Sequence, residues 1–342
     1  MEGGAPGLAH QPTKRVDSPT GKESLAAPPA IKPGPRSQKK LCWAGAPAHY
    51  GMVGLDPSFS VQLLLPVPFA YWVHHAHPFL IQFSGNIGIR YYGLAYLAGF
   101  VASGWLLWQY HRAGRSPLDL NAIFDLMTAL IVGVIVGGRV GYFLLYQFGL
   151  LVHDPLVLFR VWEGGMASHG GFLGAMAGMA WFVRGRNLSF LQVADLVVTT
   201  SPLGLFFGRL ANFANGELWG KASTVPWAMI FPGSAPAGTP EQLIVPRHPS
   251  QLYEATLEGV LLFAFLQWRF WKCPRVPAQP GRLAGEFLIA YAVARTIGEA
   301  FREPDAGLIL GLSRGTFYSL FMIAAGVGLV AFAARASSKG KA

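Results

Sequence analysis

Charge is scarce in this chain. Asp, Glu, Lys and Arg together make up 13% of 342 residues, against roughly 25% in ordinary soluble domains. With 52% hydrophobic residues and a mean hydropathy of +0.37, that scarcity excludes a water-soluble globule and points to a membrane protein. Cysteine is scarcer still: Cys42 and Cys273 are too few and too far apart for a disulfide framework or a cysteine zinc site. Acids are outnumbered, 17 against 27 Lys and Arg, for a net charge of +10. In so apolar a chain the positive-inside rule explains that excess better than nucleic acid does. The chain has no H-E-x-x-H, no paired-aspartate metal motif, no P-loop and no internal repeat, so metal and nucleotide cofactors have no support.

No apolar core of signal-peptide length occurs before residue 60. Residues 1–51 read instead as a disordered basic extension, net +4 over the first 50 residues and rich in Pro, Gly and Ala. Met52 is the expected natural start. Residues 52–88 are apolar but interrupted by Pro66, Pro68, Pro78 and three histidines, which suits an interfacial lead-in better than a span.

Seven apolar runs of spanning length follow, near 91–110, 122–146, 167–183, 190–212, 252–271, 283–301 and 314–334. The fold expected is an all-α polytopic membrane protein of seven transmembrane helices, occupying 89–336 and ending in a short cytoplasmic tail, 337–342. Arg112, Arg115, Arg184, Arg186, Lys272, Arg275, Arg282 and Arg335 crowd one set of loops, which is therefore cytoplasmic. Residue 90 then lies outside, the C-terminus inside, and the connection 213–250 forms a small extracytoplasmic cap.

Charges inside apolar spans cost a few kcal/mol each, so those present are functional candidates. With this topology they share the outer membrane half: Arg90 and Tyr92 on span 1, Arg139 on span 2, His169 on span 3, Arg209, Asn212 and Glu217 after span 4, and Arg295, Glu299 and Arg302 on span 6. Tyr291, Arg295, Glu299 and Arg302 fall within roughly an 80° sector of one helix face. They form either a site or a set of self-neutralising pairs. Arg209 and Asn212, at i and i+3, are able to present a guanidinium fork and an amide to the same phosphate-like oxygens. Arg139, among Gly137, Gly138 and Gly141, has a structural reading as close helix packing. His169, beside Gly170 and Gly171, reads as a base poised near neutral pH or as a structural histidine. Asp125 and Asp195 fall near the cytoplasmic ends, away from this layer, which argues against an intramembrane aspartyl protease.

The block Gly208–Gly220 resembles the G-R-x-[GA]-N-F-x-N-x-E-x-x-G signature of the phosphatidylglycerol:prolipoprotein diacylglyceryl transferase family, matching at Arg209, Asn212, Phe213, Asn215, Glu217 and Gly220. Arg90–Tyr96, Gly138–Tyr142, Gly164–Met166 with His169–Gly171, Arg247–Glu254, and Tyr291, Arg295 and Phe301–Asp305 match as well, from about residue 70 to 335. Ala214 is smaller than the family's usual residue. The resemblance implies a bacterial inner-membrane enzyme that moves the diacylglyceryl group of phosphatidylglycerol onto the lipobox cysteine of a preprolipoprotein and releases glycerol phosphate, with no cofactor. It also implies roles for residues: His169 as base, or alternatively Tyr92 or water; Arg209 and Arg295 as a phosphate clamp; Asn212 and Tyr92 orienting the headgroup; Glu217 holding an arginine or a hydroxyl; Gly220 allowing loop closure; and Arg139, Tyr291, Glu299 and Arg302 lining the substrate site. The competing class is a transporter of an anionic lipid or metabolite, for which internal repeats and a midplane site would be expected.

Overall fold

The computed structural model describes residues 71–339 apart from 76, 85–86, 161–163 and 305–306. The chain divides into two compact units, Met1–Leu63 and Leu64–Ala342. The first lies wholly outside the described residues, as do the expectations for residues 1–51 and for a start at Met52.

Every apolar run is helical: α1 (Tyr91–Arg112), α2 (Leu120–Tyr146), α4 (Ser168–Val183), α5 (Phe190–Ala214), α9 (Arg282–Phe301) and α10 (Arg314–Lys339), with 250–272 built from α6 (Ser250–Glu254), a π-helical stretch (Ala255–Leu261) and α7 (Leu262–Lys272). Two short helices, α3 (Phe148–His153) and α8 (Arg275–Ala278), sit in connections. Among the described residues, three helices, Leu120–Tyr146, Phe190–Ala214 and Arg314–Ser338, are long and apolar enough to cross a membrane. The chain is mostly helical, yet not wholly so. β2 (Phe79–Ser84) and β3 (Ile87–Arg90) form an antiparallel pair leading into α1, and β1 (Trp72–Val73) runs parallel to β4 (Met229–Ile230) in the 213–250 connection.

Local chemistry explains the helix boundaries. Asp119 caps α2 by accepting from the Ala122 amide at 2.8 Å, and Ser189 with Gln192 forms a capping box for α5. Asp195 caps a different helix from its own, accepting from the amides of Gly281 (2.8 Å) and Ala284 (2.7 Å) at the start of α9. The exposed donors of a helix N-terminus thus account for one of the intramembrane acids.

Packing follows small residues. Gly133, Gly137 and Gly141 on α2 face Gly170 and Gly174 on α4, and Gly178 packs on the backbone of Ala129. A Cβ at Gly137 would lie 2.7 Å from the Gly174 Cα, and one at Gly141 2.7 Å from the Gly170 Cα. Backbones this close gain dispersion where lipid tails offer no hydrophobic drive to associate. Leu107, Tyr110, Leu126, Phe182, Val193, Leu266 and Leu283 form the buried apolar core. Large apolar side chains elsewhere face outward, Trp181 at 70% and Phe124 at 64% exposure, as a lipid-facing surface requires.

Candidate active site

The functional candidates gather where α5 and α9 end and α1 and α6 begin. Arg209, near the end of α5, donates through Nε (3.1 Å) and Nη2 (2.8 Å) to Glu258 Oε2 and lies 3.0 Å from Glu254 Oε2 through Nη1. Arg295 on α9 reaches the same two carboxylates at their other oxygens, Glu254 Oε1 at 3.1 Å and Glu258 Oε1 at 3.3 Å, and also pairs with Glu299 one turn along its own helix. Arg302 approaches Glu254 Oε1 at 3.4 Å. Three arginines therefore balance three glutamates, and Glu254 and Glu258 have no exposed side-chain surface at all. Two carboxylates so buried are tolerable because guanidinium groups lie against both of them. Gly315 on α10 closes one side, since a Cβ there would come within 2.9 Å of Arg295 Nε. Tyr291 stacks on Phe287 and sits in the field of Glu258, Arg295 and Arg209.

The π-helical stretch places the glutamates. Glu254 ends α6 and Glu258 lies within Ala255–Leu261, whose widened turn packs Gly259 against Phe206 of α5, where a Cβ would come 2.7 Å from the Phe206 Cβ. Such bulges recur at functional sites because they re-aim side chains without ending a helix.

A second network lies one turn further along α5. Asn212 Nδ2 donates to Glu217 Oε1 at 3.0 Å and to the Tyr92 hydroxyl, which itself donates to Glu217 Oε1. Glu217 is aimed by its backbone: Leu218 takes φ 57°, uncommon for a side chain with a Cβ. Gln251 Nε2 holds the Glu217 carbonyl at 2.6 Å and Ser250 Oγ the Leu218 carbonyl at 2.9 Å. The loop is tied to the segment before α6 through Gly220, whose amide donates to the His248 carbonyl at 2.9 Å, and to the end of α9 through Lys221, whose amide donates to the Phe301 carbonyl at 2.9 Å. A Cβ at Gly220 would lie 2.6 Å from the Phe301 oxygen and 2.7 Å from the His248 carbonyl, so only glycine fits.

Two expected site residues are placed differently. Arg139 carries two expectations, a substrate contact and a structural role, and its bonds match the second: its five N–H groups are directed to backbone carbonyls, Leu158 (3.1 Å), Val157 (2.6 Å), Arg160 (2.7 Å), Gly165 (3.3 Å) and Gly164. It is buried and folds the connection before α4, because carbonyls in an irregular segment need donors. His169 is exposed at the second position of α4, its ring edge-on to Tyr318 at 5.6 Å; among the described residues it makes no hydrogen bond or ion pair.

Sequence reasoning missed Glu254 and Glu258 as site members, together with Ser250 and Gln251. A signal was present, because two acids at i and i+4 in an apolar run are as costly as the arginines that were noticed.

The helices and this buried ionic site define an integral membrane protein with charged chemistry at one end of its bundle. The family model described as prolipoprotein diacylglyceryl transferase matches residues 78–332. The chain is 48% identical over 262 residues to the phosphatidylglycerol–prolipoprotein diacylglyceryl transferase of Idiomarina loihiensis, covering 75% of this chain and 93% of that protein. Its similarity to the same-named proteins of Pseudoalteromonas atlantica (44%; 73% and 87% covered) and Aliivibrio salmonicida (44%; 76% and 88% covered) is comparable. The chain belongs to the prolipoprotein diacylglyceryl transferase family.

Proposed function

We propose that the protein transfers the diacylglyceryl group of phosphatidylglycerol to the lipobox cysteine of preprolipoproteins, the first step of bacterial lipoprotein maturation. It does so as a seven-span protein of the cytoplasmic membrane, with residue 90 and the 213–250 cap outside and the C-terminus inside. In the reaction the cysteine sulfur bonds to the glyceryl carbon, and the bond from that carbon to the phosphate oxygen breaks. The electron pair leaves with glycerol phosphate and the thiol proton passes to a base.

The observation that carries this reading is the convergence of Arg209 and Arg295, from two helices, on one carboxylate pair, one turn from the Tyr92–Asn212–Glu217 network. The glutamates hold both guanidinium forks in register, so a phosphate gaining charge meets donors already oriented, the arrangement that favours a transition state over a ground state. Tyr92, Asn212 and Glu217 orient the headgroup. Gly220 keeps the cap loop closed over it, while Tyr291, Glu299 and Arg302 complete the ionic wall. His169, whose ring nitrogens carry no hydrogen bond among the described residues, takes the thiol proton. A competing route runs through the Tyr92 hydroxyl to Glu217 and rests on the hydrogen bond between them. The ionic groups occupy the second halves of α5 and α9 and the first half of the run 250–272, and the sequence has no internal repeat, which favours the enzyme over a transporter.

Purified protein supplied with phosphatidylglycerol and a lipobox peptide is expected to form the thioether-linked product, and Arg209→Ala and Arg295→Ala each to lose about 100-fold or more in rate. Absence of product where the folded protein binds lipid overturns the enzyme reading. His169→Gln, followed across pH, separates the proton routes: substantial activity with an unchanged profile assigns the proton to Tyr92 and Glu217.

A further inference from the structure

Residues 250–258 carry four polar side chains, Ser250, Gln251, Glu254 and Glu258, each 0% exposed. By helical spacing they fall within roughly a 100° sector of one face. Glu254 and Glu258 hold Arg209 and Arg295. Ser250 and Gln251, at the start of the same run, hold backbone instead. Ser250 Oγ donates to the Leu218 carbonyl at 2.9 Å and Gln251 Nε2 to the Glu217 carbonyl at 2.6 Å. The other end of the Gln251 amide, Oε1, is buried with no hydrogen-bond partner among the described residues. A half-satisfied buried amide costs stability, so a gain in packing does not account for it, and the bond made by its donor end calls for another reason.

The two carbonyls belong to the peptide planes on either side of the Leu218 Cα. Each peptide unit is rigid, so fixing both planes fixes both backbone dihedrals between them. The conformation so fixed is left-handed, φ 57°, which a residue with a Cβ disfavours roughly tenfold. Gly216, also left-handed at φ 63°, needs no such help. Glu217 stands between these two residues. Its amide donates to the Asn212 carbonyl at 3.1 Å, and its carboxylate accepts from Asn212 Nδ2 at 3.0 Å and from the Tyr92 hydroxyl. Relaxation of Leu218 to negative φ would turn the peptide between 217 and 218 and carry that carboxylate off Tyr92 and Asn212.

We propose that Ser250 and Gln251 are positioning residues of the transfer: they impose the left-handed turn at Leu218 and so hold the Glu217 carboxylate in register with the arginine clamp, which Glu254 and Glu258 hold from the same run of chain. One stretch of backbone thereby aligns the network that orients the headgroup with the one that meets the phosphate. The proposal rests on the transferase reading and adds to it what sets the two networks against each other.

The test is the transfer assay with phosphatidylglycerol vesicles and a synthetic lipobox peptide, with kcat and KM measured beside the melting temperature. Gln251→Met keeps the length of the side chain and removes the donor. It is expected to lower kcat about 10- to 100-fold, the effect of a displacement near 1 Å, with KM for the peptide unchanged. Because it acts through Glu217, it adds no further loss to Glu217→Gln. Leu218→Gly, free to take the left-handed turn unaided, restores most of the rate to Gln251→Met and to Ser250→Ala. A separate arm leaves both buried side chains in place: Leu218→Val, whose branched Cβ resists φ 57°, is expected to lower kcat about tenfold. The positioning reading falls if Gln251→Met lowers only the melting temperature, if its loss multiplies with that of Glu217→Gln, if Glu217→Gln itself keeps the wild-type rate, or if Leu218→Gly recovers nothing. Where the Gln251 variant does not fold, Leu218→Val transferring at the wild-type rate overturns it. A wild type that makes no thioether overturns the transferase reading, and this one with it.

Discussion

At the scale of the residue, the site is a problem in compensating buried charge. Glu258 receives Arg209 on one oxygen and Arg295 on the other, so neutralising it frees two guanidinium groups at once. Breaking a buried pair by removing one partner costs about 3–5 kcal/mol. Glu258→Gln is therefore expected to lower the thermal unfolding temperature of the detergent-purified protein and to depress transfer together with it, whereas the exposed pair Arg186–Asp125 should be removable at under about 1 kcal/mol. Stability curves of both variants check the contrast. Outside the spans, burial pushes the His248 imidazole below its ordinary range. An unfolded chain then binds a proton that the folded cap refuses, so this contribution is complete above about pH 6.5 and is lost as pH falls towards the lowered folded value. Melting temperature measured across that range should drop on acidification, and His248→Asn should flatten the dependence.

At the scale of the element, helix register depends on glycines as much as on apolar length. A side chain at Gly174 would meet the Gly137 Cα at 3.0 Å and the backbone of Gly133 closer still, while Gly93 has open space around its Cα. Gly174→Val should destabilise by roughly 1–3 kcal/mol or more, and Gly93→Ala should be near neutral; thermal melts of the pair decide it. Gly-rich runs were legible in the sequence, but their partners were not. Helical periodicity names a face of one helix without naming which other helix meets it. The β2–β3 pair and the π-helical stretch were not anticipated either, because the apolar residues around them read as a lead-in and a single span. Arg139 shows the same limit: an arginine within an apolar helix announces a buried partner, and only the path of residues 157–165 reveals that the partners are carbonyls.

At the scale of the whole molecule, basic loops and a one-sided polar layer agree. The ionic residues lie in the helix halves away from the ends flanked by Arg112, Arg184 and Arg282. The proposed orientation predicts that a single cysteine at Lys221, in a Cys42→Ser, Cys273→Ser background, is labelled by a membrane-impermeant maleimide added to intact cells. One at Arg184 should be labelled only after lysis. The reverse pattern would invert the topology and place the ionic site on the wrong side for a secreted acceptor.

The sequence by itself determined the membrane class, the position of each long helix and most of the charged residues that matter, because apolar length and the cost of buried charge are properties of short stretches of chain. Only the tertiary structure decided which charges meet. Arg209, Arg295 and Arg302 come from two helices and the end of one of them, and Glu254 and Glu258, on a third, are what they share. Arg139 and Asp195, also buried and ionisable, were diverted to backbone carbonyls and amides. A buried charge requires a partner, and nothing local states whether that partner will be a side chain, a peptide group or a substrate.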